Sequence, residues 1–280
     1  MGDKKIINLG EKQEKILVFG GVYSNLQALE ALIDFAKENN ISASNSIHTG
    51  DLVGYCGQPN ECVKLLKEWG CHSILGNVEI QLMNGEDNCA CDFEEGSRCD
   101  VLSNQWYPKL QEEISEESIQ FFQDLPHHIT FSIGDLNVGV VHGSFDNTSE
   151  FIFRSTPWEN KEKNFKKLGV DVIIGGHCGL PFYQKNVDKH WVNPGVIGMP
   201  ANNGKVETWF AIVSFQNSSV EVEFHELKYN HFEANKMMIS KLYPKAYADT
   251  LISGIWDNMD ILPKTEKMQK GKNLKPNFTE

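Results

Sequence analysis

The chain has 280 residues, enough for a sizeable core in one large domain or two small ones. A formal net charge of −12 excludes a nucleic-acid backbone as the main partner, and no apolar run approaches the ~18 residues of a membrane span. The start, Met1-Gly2-Asp3-Lys4-Lys5, lacks the apolar core of a signal peptide, so a cytoplasmic chain with its seven cysteines reduced is expected.

Residues 1–14 are charged and expected to be loose. Ile16-Leu17-Val18-Phe19 is a continuous apolar run of strand length, closed by the turn Gly20-Gly21-Val22-Tyr23-Ser24. Asn25 can cap the helix that follows, whose apolar stripe is Leu29, Leu32, Ile33 and Ala36. Ser46 to Thr49 reads as a short strand, and Glu61 to Trp69 as a second helix burying Cys62, Leu65, Leu66 and Trp69. Cys71 just beyond it is also assigned to the core.

From Glu79 to Cys99 no period is visible, and a long loop is expected. Asp92, Phe93, Glu94 and Glu95 in it, with Trp106 and Tyr107 after it, are candidates for a lid. Ser115 to Leu125 reads as a helix ended by Pro126. Residues 129–141 read as a hairpin turning at Gly134-Asp135, and Trp158 to Leu168 as a helix. Two late antiparallel strands follow at 208–213 and 220–224, then two helical stripes: Ala234, Met238 and Leu242, and Ala248, Leu251, Ile252 and Ile255. The expected organisation is a loose 1–14, one domain over 15–262, and a solvated polar tail at 263–280.

Polar residues stand just past four strand-like runs. Asp51 follows Ser46–Gly50, and Asn77 follows Ser73-Ile74-Leu75-Gly76. His142 follows Val138–Val141, and His177 follows Val170–Gly176. The carboxyl ends of strands are where open α/β sheets gather ligand-binding groups. The order Gly-Asp, Gly-Asn, His-Gly, Gly-His carries more weight than any single pair.

These segments resemble the calcineurin-like metallophosphoesterase superfamily, in its bacterial and archaeal phosphodiesterase branch. The matching pieces are 24–32, Gly50–Tyr55, Gly76-Asn77, Val141-His142-Gly143, Gly176-His177 and Asn193-Pro194-Gly195, spread over about residues 15–215. The resemblance implies an α/β fold, a metallophosphoesterase-like sandwich of two mixed β-sheets flanked by helices. It also implies a two-metal hydrolase in which one carboxylate bridges the ions, here Asp51.

The family's second ion takes Asp51, Asn77, His142 and His177, a donor set suited to Mn, Fe or Zn. The first ion should take an Asp-x-His and the last His of Gly-His-x-His; those positions are Gly21, Tyr23 and Gly179. The family's Gly-Asn-His-Asp reads Gly76-Asn77-Val78-Glu79, so Val78 supplies no general acid. Cys56, Cys89, Cys91, Cys99 and Cys178 lie near the same strand ends and are candidates for an additional metal or redox role.

The expected function is a metal-dependent phosphoesterase-like hydrolase with an altered, mononuclear or Cys-supplemented site, acting on a small phosphorylated molecule. The alternatives are a non-catalytic metal- or phosphate-binding protein, or a thiolate-metal or redox enzyme on the same scaffold.

Overall fold

The computed structural model describes residues 4–12, 15–91, 94–216 and 219–277. Its strands are β1 (Ile6–Glu11), β2 (Lys15–Phe19), β3 (Ser46–His48), β4 (His72–Ser73), β5 (His128–Ile133), β6 (Leu136–Val140), β7 (Val172–Ile174), β8 (Phe182–Asn186), β9 (Lys189–Asn193), β10 (Thr208–Gln216) and β11 (Ser219–Leu227). The helices are α1 (Leu26–Glu38), α2 (Pro59–Trp69), α3 (Asn77–Asn84), α4 (Arg98–Glu113), α5 (Glu116–Asp124), α6 (Trp158–Leu168), α7 (His231–Ser240), α8 (Lys245–Ser253) and α9 (Lys264–Lys267). Among the described residues the strands form two mixed sheets, ordered β1-β5-β6-β7-β9-β8 and β11-β10-β2-β3-β4.

The central strands of both sheets are apolar on both faces. In β2, Ile16 and Val18 face the space between the sheets, where they meet Ile129, Val138, Val140, Val172 and Ile174. Leu17 and Phe19 point the other way, onto α1 residues Leu29, Leu32 and Ile33. In β7, Ile173 leaves the inter-sheet layer for a third cluster with Phe165 and Trp191. With both faces covered, a strand needs no polar side, which gives continuous runs rather than alternation. Asn25 caps α1 by accepting from the Ala28 amide at 3.2 Å, and the predicted stripe of α1 is buried.

Several segments differ from their sequence reading. Ile6–Glu11, expected to be loose, is an edge strand parallel to β5, with Ile6 opposite His128. Its side chains are mostly exposed, so no burial pattern betrays it. The loop expected over 79–99 is shortened at both ends by α3 and α4. In α4, Trp106, Tyr107 and Leu110 are buried although Pro108 interrupts the sequence pattern.

Trp106 and Tyr107 are therefore core residues rather than parts of a lid. Glu94 and Glu95 are exposed, and Asp92 and Phe93 lie outside the described residues. The β8–β9 hairpin, turning at Val187-Asp188, was not legible in the sequence.

Helices α7 and α8 bury Ala234, Met238, Ala248 and Leu251 in the same cluster as α1, while Leu242, expected on that stripe, is exposed. Most described residues of the tail are exposed, and two polar side chains, Glu266 and Asn277, tie it to the domain. Glu266 is buried and accepts from the Ser155 amide at 3.0 Å and its hydroxyl at 2.7 Å. Asn277 donates to the Val222 carbonyl at 2.9 Å. No described helix is long and apolar enough to cross a membrane.

Candidate metal centre

Two sheets meet at this site. Asp51 and Asn77 follow β3 and β4 of the five-stranded sheet; His142 and His177 follow β6 and β7 of the six-stranded one. β3 and β4 run parallel, as do β6 and β7, so each pair of turns lies at the carboxyl edge of its sheet. Asp51 (φ 62°) and His177 (φ 57°) both occupy the left-handed region, which costs backbone energy and is characteristic of functional turns. Gly76 is required by close approach. A Cβ there would collide with the Asp51 carboxylate and amide and lie 2.8 Å from Glu79 Oε2.

The four predicted donors converge. His142 Nε2 lies 3.2 Å from Asp51 Oδ2, 3.1 Å from Asn77 Oδ1 and 3.1 Å from His177 Nδ1. The donor atoms of Asp51, His142 and His177 all lie within 4.8 Å of one another, and all three residues are buried.

Their partners decide which atoms face inward. His142 Nδ1 is 2.7 Å from the Thr49 carbonyl, so it carries the proton and leaves Nε2 as a lone pair. Asn77 donates its amide nitrogen to the Cys89 carbonyl at 2.8 Å, which turns Oδ1 inward. The Asp51 carboxylate, Asn77 Oδ1 and His142 Nε2 then face one point as acceptors, with His177 Nδ1 beside them, an arrangement suited to a cation among them. Spacings near 3.1 Å suit neighbouring donors around one ion at about 2.0–2.1 Å.

The electrostatics are consistent with that. Burial opposes charge on Asp51, but His142 and His177 outweigh it and hold the carboxyl below its ordinary range. On His142 burial opposes charge, but Asp51 outweighs it and raises the pKa, so a proton competes with an ion for Nε2. Burial and His142 push His177 down to about 3, leaving a neutral imidazole able to ligate.

The half of the site that would hold a second ion is built differently. Tyr23 is 7 % exposed and packs edge-on against Tyr55 at 4.6 Å. Its ring lies over Gly21, where a Cβ would come within 2.6 Å of Tyr23 Cζ. Trp256 covers Gly179, 3.8 Å from where a Cβ would stand.

The cysteines fare unevenly. Cys89 and Cys91 are joined in a disulfide, which corrects the expectation of reduced thiols and removes them as thiolate ligands in this state. Cys91, Cys99 and Cys178 line the cavity beside Asp51, whereas Cys89 and Cys56 do not. Burial pushes Cys178 up to about 12 and Cys99 up to about 11, and it raises Cys56 further, so all three stay protonated thiols. Cys99 donates to Asn258 at 3.0 Å, and Cys178 accepts from Asn193 at 3.2 Å.

Sequence reasoning missed Glu79. It is fully buried and accepts from the amides of Gly76 at 2.8 Å and of Asp51 and Val53 at 3.1 Å each. Burial, then Asp51, raises its carboxyl to about 7. The legible signal was a Glu three residues after the cap position of α3, the spacing of a capping box.

The model of the calcineurin-like phosphoesterase superfamily domain matches residues 15–218. The chain belongs to this superfamily. An uncharacterised protein of Methanocaldococcus jannaschii is 24 % identical over 254 residues, covering 85 % of this chain and 98 % of its own.

A hypothetical protein of Pyrococcus horikoshii has a similar solved structure, with TM-score 0.70 and 20 % identity over 88 % of this chain and all of its own. A metallophosphoesterase from Sphaerobacter thermophilus superposes with TM-score 0.65 and 23 % identity over 87 % of this chain and all of its own. Both likenesses speak to the fold. In this calcineurin-like chain, Tyr247, Trp256 and Ile261 lie beyond the matched residues yet line the cavity at the centre.

Proposed function

We propose that the chain is a phosphoesterase-type hydrolase working with one divalent transition-metal ion, held by Asp51, Asn77, His142 and His177. The observation that supports this most is the meeting of donor atoms from Asp51, Asn77, His142 and His177, beside a half-site lined by rings. Two imidazoles, a carboxylate and an amide oxygen suit Mn, Fe or Zn. When bound, such an ion supplies a Lewis acid for phosphoryl oxygens and activates water as a nucleophile.

The chain's own groups do the positioning. Thr49 fixes the His142 tautomer, the Cys89 carbonyl fixes the Asn77 amide, and Glu79 pins the backbone that carries Asp51. Val78 is fully buried and apolar, so no proton reaches a leaving oxygen from that position. Esters with stable leaving groups, such as aryl phosphodiesters, are therefore the favoured substrates.

The test is hydrolysis of bis(4-nitrophenyl) phosphate by protein loaded in turn with Mn, Fe and Zn. Turnover that disappears in His177→Ala supports hydrolysis. No turnover from metal-loaded protein would sink it and favour the non-catalytic binding reading, for which the buried Val78 already speaks.

A further inference from the structure

We propose that the ring-lined half of the centre is a socket for one aromatic ring of a ligand whose acidic head meets the ion held by Asp51 and His177. The identity of the head rests on the function proposed above; the socket stands on its own geometry. A cavity of about 90 Å³ reaches Asp51 and His177 at one end. That is about three waters at their ~30 Å³ share of liquid volume and less than the ~150 Å³ apolar cavity that takes benzene, so a single ring is the most it admits and its walls must give slightly.

Its walls are apolar and largely aromatic: Tyr23, Phe151, Met199, Tyr247, Trp256 and Ile261. Among the described residues no lysine or arginine lines it, and Asp257 stands exposed among the lining residues. A polyanion would find no cationic partner there. A flat apolar group would find ring faces, the usual make-up of a small-molecule pocket with few polar anchors.

Two independent features argue that the socket is a built part of this chain rather than a leftover gap. First, its outer wall comes from beyond the matched domain, and Trp256 sits over Gly179, where a metal-binding side chain would have to start. Second, that wall is fastened in place. Trp256 donates its indole N–H to the Pro200 carbonyl at 2.7 Å and its amide to Asn202 Oδ1 at 2.9 Å. Arg98 pairs with Asp257 at 2.6 Å, and its amide donates to Asp260 at 2.9 Å. Phe151 lies 4.3 Å from the His177 ring, so the apolar lining runs up to the donor set itself.

The experiment compares phenylphosphonate with methylphosphonate by calorimetric titration of Mn-loaded protein. The expected result is at least tenfold tighter binding of the phenyl compound. That preference should fall towards unity in Val196→Phe, which fills the cavity, and in Trp256→Ala, which removes the outer wall. Trp256 is half-buried, so its replacement keeps the test open should Val196→Phe fail to fold.

Equal affinities for the two phosphonates, no binding of either to Mn-loaded protein, or a preference unchanged in the folded variants would overturn the socket. Should the protein take up no Mn, the one-ion reading fails by itself. Phenol binding to the metal-free protein, followed by ligand-observed NMR, then decides: binding lost in Trp256→Ala upholds the socket, and no binding to the parent protein overturns it.

Discussion

Replacing Gly21 is expected to be costly only while Tyr23 is present. Gly21 is not among the positive-φ glycines, so its backbone accepts a side chain. Its space does not: a Cβ would lie 2.6 Å from Tyr23 Cζ and 2.9 Å from Cδ1, well inside contact distance. The ring is itself buried and packs edge-on against Tyr55.

Overpacking of this kind costs about 1–3 kcal/mol, so Gly21→Ala should destabilise by that amount. Tyr23→Ala leaves a ring-sized cavity and should cost about 3–5 kcal/mol, as for other buried aromatics. In the double variant the first cost vanishes, giving about 3–5 kcal/mol instead of the additive sum of about 4–8 kcal/mol. The coupling of about 1–3 kcal/mol is read from urea unfolding of the four proteins. At about 2 °C per kcal/mol it is a Tm gap of about 2–6 °C. Additive costs would show that the Tyr23 ring does not stand where a side chain at 21 would go, and that the two positions changed independently.

Glu79→Gln leaves one of three backbone amides facing an NH₂ group instead of an oxygen. It should cost about 1–3 kcal/mol in stability and weaken metal binding roughly 10- to 100-fold, measured by competition with a chelating dye; unchanged affinity would remove Glu79 from the support of Asp51. Cys89→Ser/Cys91→Ser should keep its metal, because Asn77 presents an oxygen to the centre and only its nitrogen to that loop; metal loss in the elemental analysis would restore the sulfurs as ligands.

Lys161 is buried, and burial lowers its pKa to about 8 from 10.5. Its folded pKa lies below its unfolded value, so the unfolded chain binds more protons between about pH 8 and 10.5. Stability relative to Lys161→Met should rise across that window by on the order of 3 kcal/mol. A flat difference in denaturant midpoints would show that Lys161 titrates normally.

How much was legible in the sequence depends on what each element needed to show. β2, β6 and β7 are covered on both faces, so their apolar runs stood out, and the glycine turns beside β3, β4, β6 and β7 marked Asp51, Asn77, His142 and His177. β1 is an exposed edge and has no such run. α4 carries Pro108 and α3 is short, so neither kept a clear period. Glu79 was given no role, because its three partners are backbone amides that no pattern of side chains reveals. The wall built by Tyr247 and Trp256 arises only when distant chain meets Gly179 in space, and spacing within the sequence cannot show that.

Metal content of protein purified without chelator, measured by elemental analysis, bears most directly on the central claim. One transition-metal ion per chain, absent from His142→Ala that still folds, is the predicted result. Two ions per chain, or an ion retained after His142 is removed, would contradict it.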